Sequence, residues 1–378
     1  MIAQFKKTSR PRWAGAMLLL AALACVVLTN AYVAKADFIF GEPVNLKLVI
    51  PVIDPAHDGI NSFTDDVLEM YIASNRPGGQ GAYDLWVLRR ASAADEWGPP
   101  ENLGPGVNSP KGDGLPSVSA DGLTLHFGSK RPGGYGDWDI WMTTRPTRDT
   151  AWGPPINLGQ RINSSSSDVG TWMSADGLEL HFNSNRPGGY GGIDIYVARR
   201  ATTSDPWGDP VNLGPVVNSG YNENDVSLSP DGLLLFFDDS LDAPRPGGYG
   251  GADMWMARRT SLSDPWQAPL NLGPKVNGSA HDGGARIFPD GSTLYFTTLR
   301  DGTYDNWRAA ILPVVDFNGD GIVDCVDVCM LVDHLGTNEP VYDIAPVPFG
   351  DGIVDVQDLI VLTEHLTKKQ VDPNAVTP

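Results

Sequence analysis

Oxygen-bearing side chains near the C-terminus recur at a pitch that suits a hard divalent cation. Asp316, Asn318, Asp320, Asp324 and Asp327 stand at positions 1, 3, 5, 9 and 12 of a twelve-residue segment, with Gly321 at position 6. Several oxygens on one short loop, a glycine at the sharp turn and the carbonyl of Ile322 at position 7 make a ligand set for calcium, with aspartate in place of glutamate at the last position. Residues 314 to 367 carry 11 acidic side chains and no Lys or Arg, a charge that a small folded unit sustains only with a cation to compensate. Calcium is therefore expected as a structural ion. The unit repeats, since DGIVD at Asp320 recurs at Asp351 and His334-Leu335 recurs at His365-Leu366, each 31 residues later. In the second half Asp351, Asp355 and Asp358 hold positions 5, 9 and 12, but Val347 and Phe349 fall where oxygens belong. Asp343 is the candidate that reaches in across APVPFG; without it the second site is weak or empty.

The helix expected after the first loop has Val326, Met330, Leu331 and Leu335 at helical spacing. The two histidines suit helix ends better than a metal. Cys325 and Cys329 are the only cysteines outside the first 36 residues, too few for a closed zinc site and near the outer limit for a disulfide on one helix face.

A second set of charged residues recurs through the rest of the chain. Arginine heads an RPGG segment at Arg76, Arg131, Arg186 and Arg245, and a degenerate RDGT at Arg300, with spacings of 55, 55, 59 and 55. Aspartates keep step: Asp58, Asp113, Asp168, Asp225 and Asp282 before each arginine, and Asp84, Asp139, Asp194, Asp253 and Asp305 after it. WGxPxNL begins at Trp97, Trp152 and Trp207, returns as WQAPLNL at Trp266, and is anticipated by FGEPVNL at Phe40.

One unit, residues 113 to 160, reads as four short strands: PSVS, LTLHF, DIWMTT and WGPPINL, separated by Asp121-Gly122 and by RPGGYG. A single four-stranded sheet of this kind cannot bury both faces, so like units stack about an axis. Five units predict a mainly β, five-bladed propeller. The fifth unit lacks its own WGxPxNL copy after Trp307, and the orphan copy at Phe40 to Leu46 is expected to supply its outer strand and latch the ring.

In such a ring the first strand of each unit lines the axis, and Asp58, Asp113, Asp168, Asp225 and Asp282 gather at one mouth as ligand-face candidates. A residue present in every blade also serves the blade, and each RPGG arginine is expected between this aspartate and the one that opens the third strand. The fourth unit departs most: FDDSLDAPRPGG adds four residues with Asp238, Asp239 and Asp242, and the loop ahead of its first strand carries Tyr221, Asn222 and Glu223. That sector is the first choice for ligand contact. Glycosidic hydrolysis needs two acids in different environments, which equivalence by repetition does not provide. No GxSxG, HExxH or Cys-His signature is present, and no catalytic residue is assigned.

The first 36 residues have the organisation of an export signal: Lys6, Lys7, Arg10 and Arg12, an apolar run from Ala14 to Leu28, then Ala34-Lys35-Ala36. An uncleaved anchor is the rival, although the run falls short of the ~20 residues a spanning helix needs. Cleavage after Ala36 leaves 22 basic against 46 acidic residues, a balance that disfavours nucleic acid and anionic membranes as partners. The expected organisation is a signal peptide over 1–36, propeller over 37–312, calcium module over 313–368 and a disordered tail over 369–378.

The repeats, best seen in SADGLTLHFGSKRPGGYGDWDIW, resemble WD-repeat-like propellers related to the TolB propeller. The C-terminal tandem resembles a dockerin, the duplicated calcium-loop-helix module. The first resemblance implies a propeller that binds ligands or proteins or assists an enzyme. The second implies a tether to a cohesin-like or other surface protein in an exported, polysaccharide-related assembly, with Asp316, Asn318, Asp320, Asp324 and Asp327 as calcium ligands. A carbohydrate or protein ligand for the propeller follows as an expectation. A glycoside hydrolase is the alternative.

Overall fold

A computed structural model describes residues 38–48, 50, 53, 58–240, 244–318, 322–339, 342–345 and 353–366. The expected export signal, Asp242, Asp320, Asp351, Val347, Phe349 and the expected tail lie outside these residues.

Strands β1 (Phe38–Phe40) and β2 (Val44–Asn45) come first. Blade one follows as β3 (Asp58–Phe63), β4 (Glu69–Ser74), β5 (Asp84–Arg89) and β6 (Glu101–Asn102). Blade two holds β7 (Asp113–Val118), β8 (Thr124–Ser129), β9 (Asp139–Thr144) and β10 (Ile156–Asn157). Blade three holds β11 (Asp168–Met173), β12 (Glu179–Ser184), β13 (Asp194–Arg199) and β14 (Val211–Asn212). Blade four holds β15 (Asn224–Leu228), β16 (Leu234–Asp238), β17 (Met254–Arg258) and β18 (Leu270–Asn271). The fifth blade has β19 (Asp282–Ile287), β20 (Thr293–Thr298) and β21 (Asp305–Pro313) of its own. Each blade is an antiparallel meander. Each first strand touches the first strand of the next blade, and β19 touches β3, which closes a ring of five.

The latch forms as expected. β1 pairs with β21 from Phe38 opposite Pro313 to Phe40 opposite Ile311, and β2 places Asn45 opposite Trp307. Phe38 and Phe40 are buried among Leu234, Phe236, Ile287 and Ile311, so the N-terminal strand seals the core between blades four and five. The second strands alternate between two buried faces because both sides of a blade meet a neighbour. Leu125 and Phe127, for example, pack against Tyr71, Leu85 and Val87 of the preceding blade.

The two glycines of RPGG have separate causes. The first, as Gly78 or Gly133, has φ of +99 or +96, a region open to glycine at no steric cost. The second lies too close to the third-strand aspartate for any side chain: a Cβ at Gly134 would stand 2.5 Å from Asp139 Oδ2. In the degenerate fifth copy Thr303 takes that place and its hydroxyl donates to Asp305 Oδ1 at 3.0 Å.

Two helices follow, α1 (Cys325–Val332) and α2 (Val356–Leu366). The buried face of α1 carries Leu331, with Val328 beside it, and packs with Val315, Ile344, Val354 and Leu362. Val326 and Leu335, expected on that face, are exposed. Val326 immediately precedes Asp327, whose inward carboxylate sets the helix rotation. His334 and His365 each hold Nδ1 against the carbonyl four residues back, Met330 and Val361, at 2.7 and 2.9 Å, at the end where a helix accepts donors. Cys325 and Cys329 are free and exposed.

Candidate functional site

At the mouth where the RPGG turns lie, the first-strand carboxylates are buried and their oxygens are used within the blades. Arg131 Nη2 donates to Asp113 Oδ1 at 2.7 Å, and Arg186 Nη2 to Asp168 Oδ1 at 2.6 Å. Arg300 reaches Asp282 at 3.3 Å, and Arg76 binds Asp58 through Nε and Nη2. The residue four positions earlier supplies a backbone N–H, as Ser109 does to Asp113 and Gly278 to Asp282. Each arginine also stacks over the aromatic ring of the third strand, Trp86, Trp141, Tyr196, Trp255 or Trp307.

Two expectations need correction. In blade four the partner of Arg245 is Glu223, at 2.6 Å, and Asp225 is not a member of the set. Glu223 receives the Ser219 N–H as Asp113 receives that of Ser109, and burial raises its carboxyl above the ordinary range against the pull of Ser219 and Arg245. The arginines, moreover, do not sit between two carboxylates. The third-strand aspartates accept backbone N–H groups of the turn and the side chain of the WGxPxNL asparagine, as Asp139 accepts Tyr135 N, Gly136 N and Asn157 Nδ2. Asn163 then ties Asn157 to the backbone of Ile140.

The acids particular to blade four divide by role. Asp239 replaces the serine or threonine that holds the arginine N–H elsewhere, and its longer side chain accepts from Arg245 N, Asp253 N and Trp255 Nε1. Asp238 is different. It is buried and accepts Gly284 N of blade five at 2.9 Å. Burial pushes its carboxyl well above the ordinary range. Asp225 adds to the rise, the Gly284 N–H and Arg286 oppose it, and Asp239 reinforces it. Arg286 stands where three other blades have Ser62, Ser117 and Ser227. Its guanidinium donates to the carbonyls of Asn61 and Asp225, at 2.8 and 3.0 Å, and so joins blades one, four and five. Among the described residues it has no carboxylate within 4.0 Å.

The opposite mouth, ringed by the Asp-Gly turns, holds a cavity of about 430 Å³. Phe63, Val118, Trp172, Met173, Leu228 and Ile287 form its apolar wall, and Glu179, Arg199, Arg200 and Arg259 its charged wall. Arg145, Arg200 and Arg259 follow the third strands of successive blades and stack on Trp152, Trp207 and Trp266. Arg145 reaches back one blade to Glu69, which also accepts Tyr71 Oη at 3.0 Å. Arg259 likewise reaches Glu179 at 3.3 Å, beside His181. Burial alone would raise both glutamates, but Arg145 for Glu69, and His181 with the arginines for Glu179, hold them below the ordinary range. His126 and His181 are fully enclosed with no hydrogen-bond partner at either nitrogen. Burial brings both down to about 4. None of this constellation was singled out as a site in the sequence: Arg145 and Arg259 meet their glutamates across blade boundaries, at no local spacing.

In the C-terminal module Asp327 is fully buried. It accepts Phe317 N at 2.8 Å and Asn318 N through Oδ1, and Asp324 N at 2.9 Å through Oδ2. Asp358 repeats the pattern with Ile344, Ala345 and Asp355. The match sets Asp343 in the second half level with Asp316 in the first. The four additional residues of the second loop therefore fall after Ala345. Among the described residues no three carboxylate, imidazole or thiol side chains gather at metal distance, and Asp320 and Asp351 lie outside them. The donors present are hard oxygens, and the two enclosed carboxylates have no Lys or Arg in their segment, a chemistry that fits calcium.

No family model matches the sequence, and no curated protein sequence matches it. Solved structures of similar fold include TolB from Acinetobacter baumannii, at 15% identity and TM-score 0.41, covering 67% of this chain and 54% of that one. The chain thus spans about half the length of that TolB. Also similar are α-L-arabinofuranosidases from Podospora anserina, at 14% identity, 74% and 92% coverage and TM-score 0.39, and from Lactobacillus brevis, at 16%, 70% and 91%, and 0.40. No helix among the described residues is long and apolar enough to cross a membrane.

Proposed function

We propose that this is an exported recognition protein, in which the propeller is a platform for a carbohydrate or protein ligand and the dockerin-like module a calcium-dependent tether. The observation that carries the reading is the use of the repeated carboxylates. All five paired acids, Asp58, Asp113, Asp168, Glu223 and Asp282, are occupied by arginine within their own blade, which suits a rigid scaffold rather than acid-base work.

Calcium would be held by Asp316, Asn318, Asp320, Ile322, Asp324 and Asp327 in the first loop, and by Asp343, Asp351, Asp355 and Asp358 in the second. It would supply the positive charge that the module lacks. Apolar residues stay exposed at equivalent places in both halves, Ile322 with Ile353 and Leu335 with Leu366, which supports docking to a cohesin-like or other surface protein. Nucleic acid is not a partner of so acidic a chain.

A glycoside hydrolase is the second reading, favoured by Asp238. A carboxyl that burial raises well above the ordinary range, beside Asp225, introduces the asymmetry that acid-base hydrolysis uses. A glycan array probed with the full chain, run beside a reducing-sugar assay, separates the two. Glycan binding without turnover supports recognition, whereas turnover lost in Asp238→Asn supports the hydrolase.

A further inference from the structure

The blade-to-blade contacts at the cavity pair a glutamate with an arginine at two of the five interfaces. Between blades one and two, Glu69 and Tyr71 face Arg145; between blades three and four, Glu179 and His181 face Arg259. Between blades two and three the corresponding residues are Thr124, His126 and Arg200. His126 occupies the strand position of Tyr71 and His181, since its cross-strand partner Ser117 corresponds to Ser62 and Trp172. Arg200 is near enough for its charge to act on His126. Threonine is too short to reach it, and no carboxylate takes the place of Glu69.

Two polar groups at this interface keep hydrogen-bonding capacity unused, as His181 does beside Glu179. Neither nitrogen of His126 has a partner, although the residue is only 1% exposed. A buried polar group of this kind is destabilising unless something satisfies it. Among the described residues Arg200 makes no ion pair, and its hydrogen bond runs from Nε to the Gly177 carbonyl. It lines the cavity together with Ser117 and Trp172, the cross-strand neighbours of His126 and His181. The equivalent gap between blades five and one, with Thr293, Tyr295 and Arg90, differs because Arg308 hydrogen-bonds Tyr295.

We propose that the cavity binds an apolar molecule bearing a single carboxylate, whose oxygens take between Arg200 and His126 the place that Glu69 takes between Arg145 and Tyr71. Arg200 supplies the charge-assisted hydrogen bonds and His126 a neutral N–H. The apolar body lies against Phe63, Trp172, Met173 and Ile287. A volume of about 430 Å³ is that of a small-molecule site. The exposed Asp65, Asp176 and Asp231 at the rim weaken long-range attraction of an anion, so selectivity arises at short range, at the half-buried Arg200 beside the apolar wall.

The assignment rests on reading the propeller as a ligand platform, and its test uses a ligand class and variants that the glycan assay does not share, so either can fail alone. Full-length protein is titrated with 2-naphthylacetate, 2-naphthylacetamide and 2-naphthylethylamine by calorimetry. The acid is expected to bind at least tenfold tighter than the amide or the amine. Arg200→Gln is expected to remove that preference. Thr124→Glu, which copies the residue pattern of blades one and three, is expected to fold and to weaken the acid at least tenfold by filling the slot. Equal binding of all three compounds, binding of none, or unchanged affinity in a folded Thr124→Glu variant overturns the proposal.

Discussion

Arg245 Nη2 lies 2.6 Å from Glu223 Oε1, so blade four closes its corner with a glutamate where the other blades use aspartate. The pair spans 22 residues in place of 18 because the four additional residues of this blade fall between its members. Asp225, two residues on, occupies a bulge with φ of +48 and offers Arg286 its carbonyl. The two acids therefore differ in what they hold together. Glu223→Gln leaves Arg245 without a counter-charge and is expected to cost about 3 kcal/mol. Asp225→Asn keeps a side chain that tolerates the left-handed region and is expected to cost less than about 1 kcal/mol. Urea denaturation of both variants checks the difference, and equal losses would restore Asp225 to the set.

The buried imidazoles make stability depend on pH. His126 and His181 are held near 4 in the folded chain against an ordinary 6.5, so between those values the unfolded chain binds more protons. Their contribution is full above pH 6.5 and is lost as pH falls towards 4, by an amount on the order of 3 kcal/mol per ring. Blade four carries Phe236 at the same position. The double variant His126→Phe with His181→Phe is therefore expected to lose less stability than the parent chain between pH 7 and 4.5, measured by urea denaturation at each pH. An unchanged slope would place the proton uptake elsewhere.

The latch should behave as part of the core. Phe40 is 6% exposed and packs with Phe236 and Ile311. Phe40→Ala is expected to cost about 3–5 kcal/mol, and removal of residues 38 to 45 to expose the edge of β21 and promote association. Denaturation and light scattering test the two effects. A truncated chain as stable and monomeric as the parent would mean that the ring closes without its N-terminal strand.

The two proposed calcium loops should be separable. Asp343 stands at the place of Asp316, while Ala345 stands where the first loop has Asn318. A calcium isotherm is expected to show one tight and one weaker event, with Asp343→Asn removing the weaker and Asp316→Asn the tighter. Loss of both events in Asp343→Asn would mean that the halves bind as one.

Much of the architecture is legible in the chain itself because it is repeated. RPGG and WGxPxNL mark blade boundaries, and the misplaced FGEPVNL copy marks closure. Glu223 could have been found as well. The residue four positions after the last letter of VNS, INS or VNG is Asp113, Asp168, Glu223 and Asp282 in turn, whereas alignment on aspartate alone selects Asp225. The cavity was not legible. Arg200 is distinguished by a carboxylate that Thr124 fails to provide from the neighbouring blade, and an absent partner leaves no local motif. Burial of His126 likewise depends on the stacking of two blades rather than on its own strand.

Scanning calorimetry of the full chain in calcium and in excess chelator tests the two-part organisation most directly. Chelation should abolish a separate transition belonging to residues 314 to 366 and leave the propeller transition in place. Superimposable traces in the two conditions would contradict a calcium-folded module.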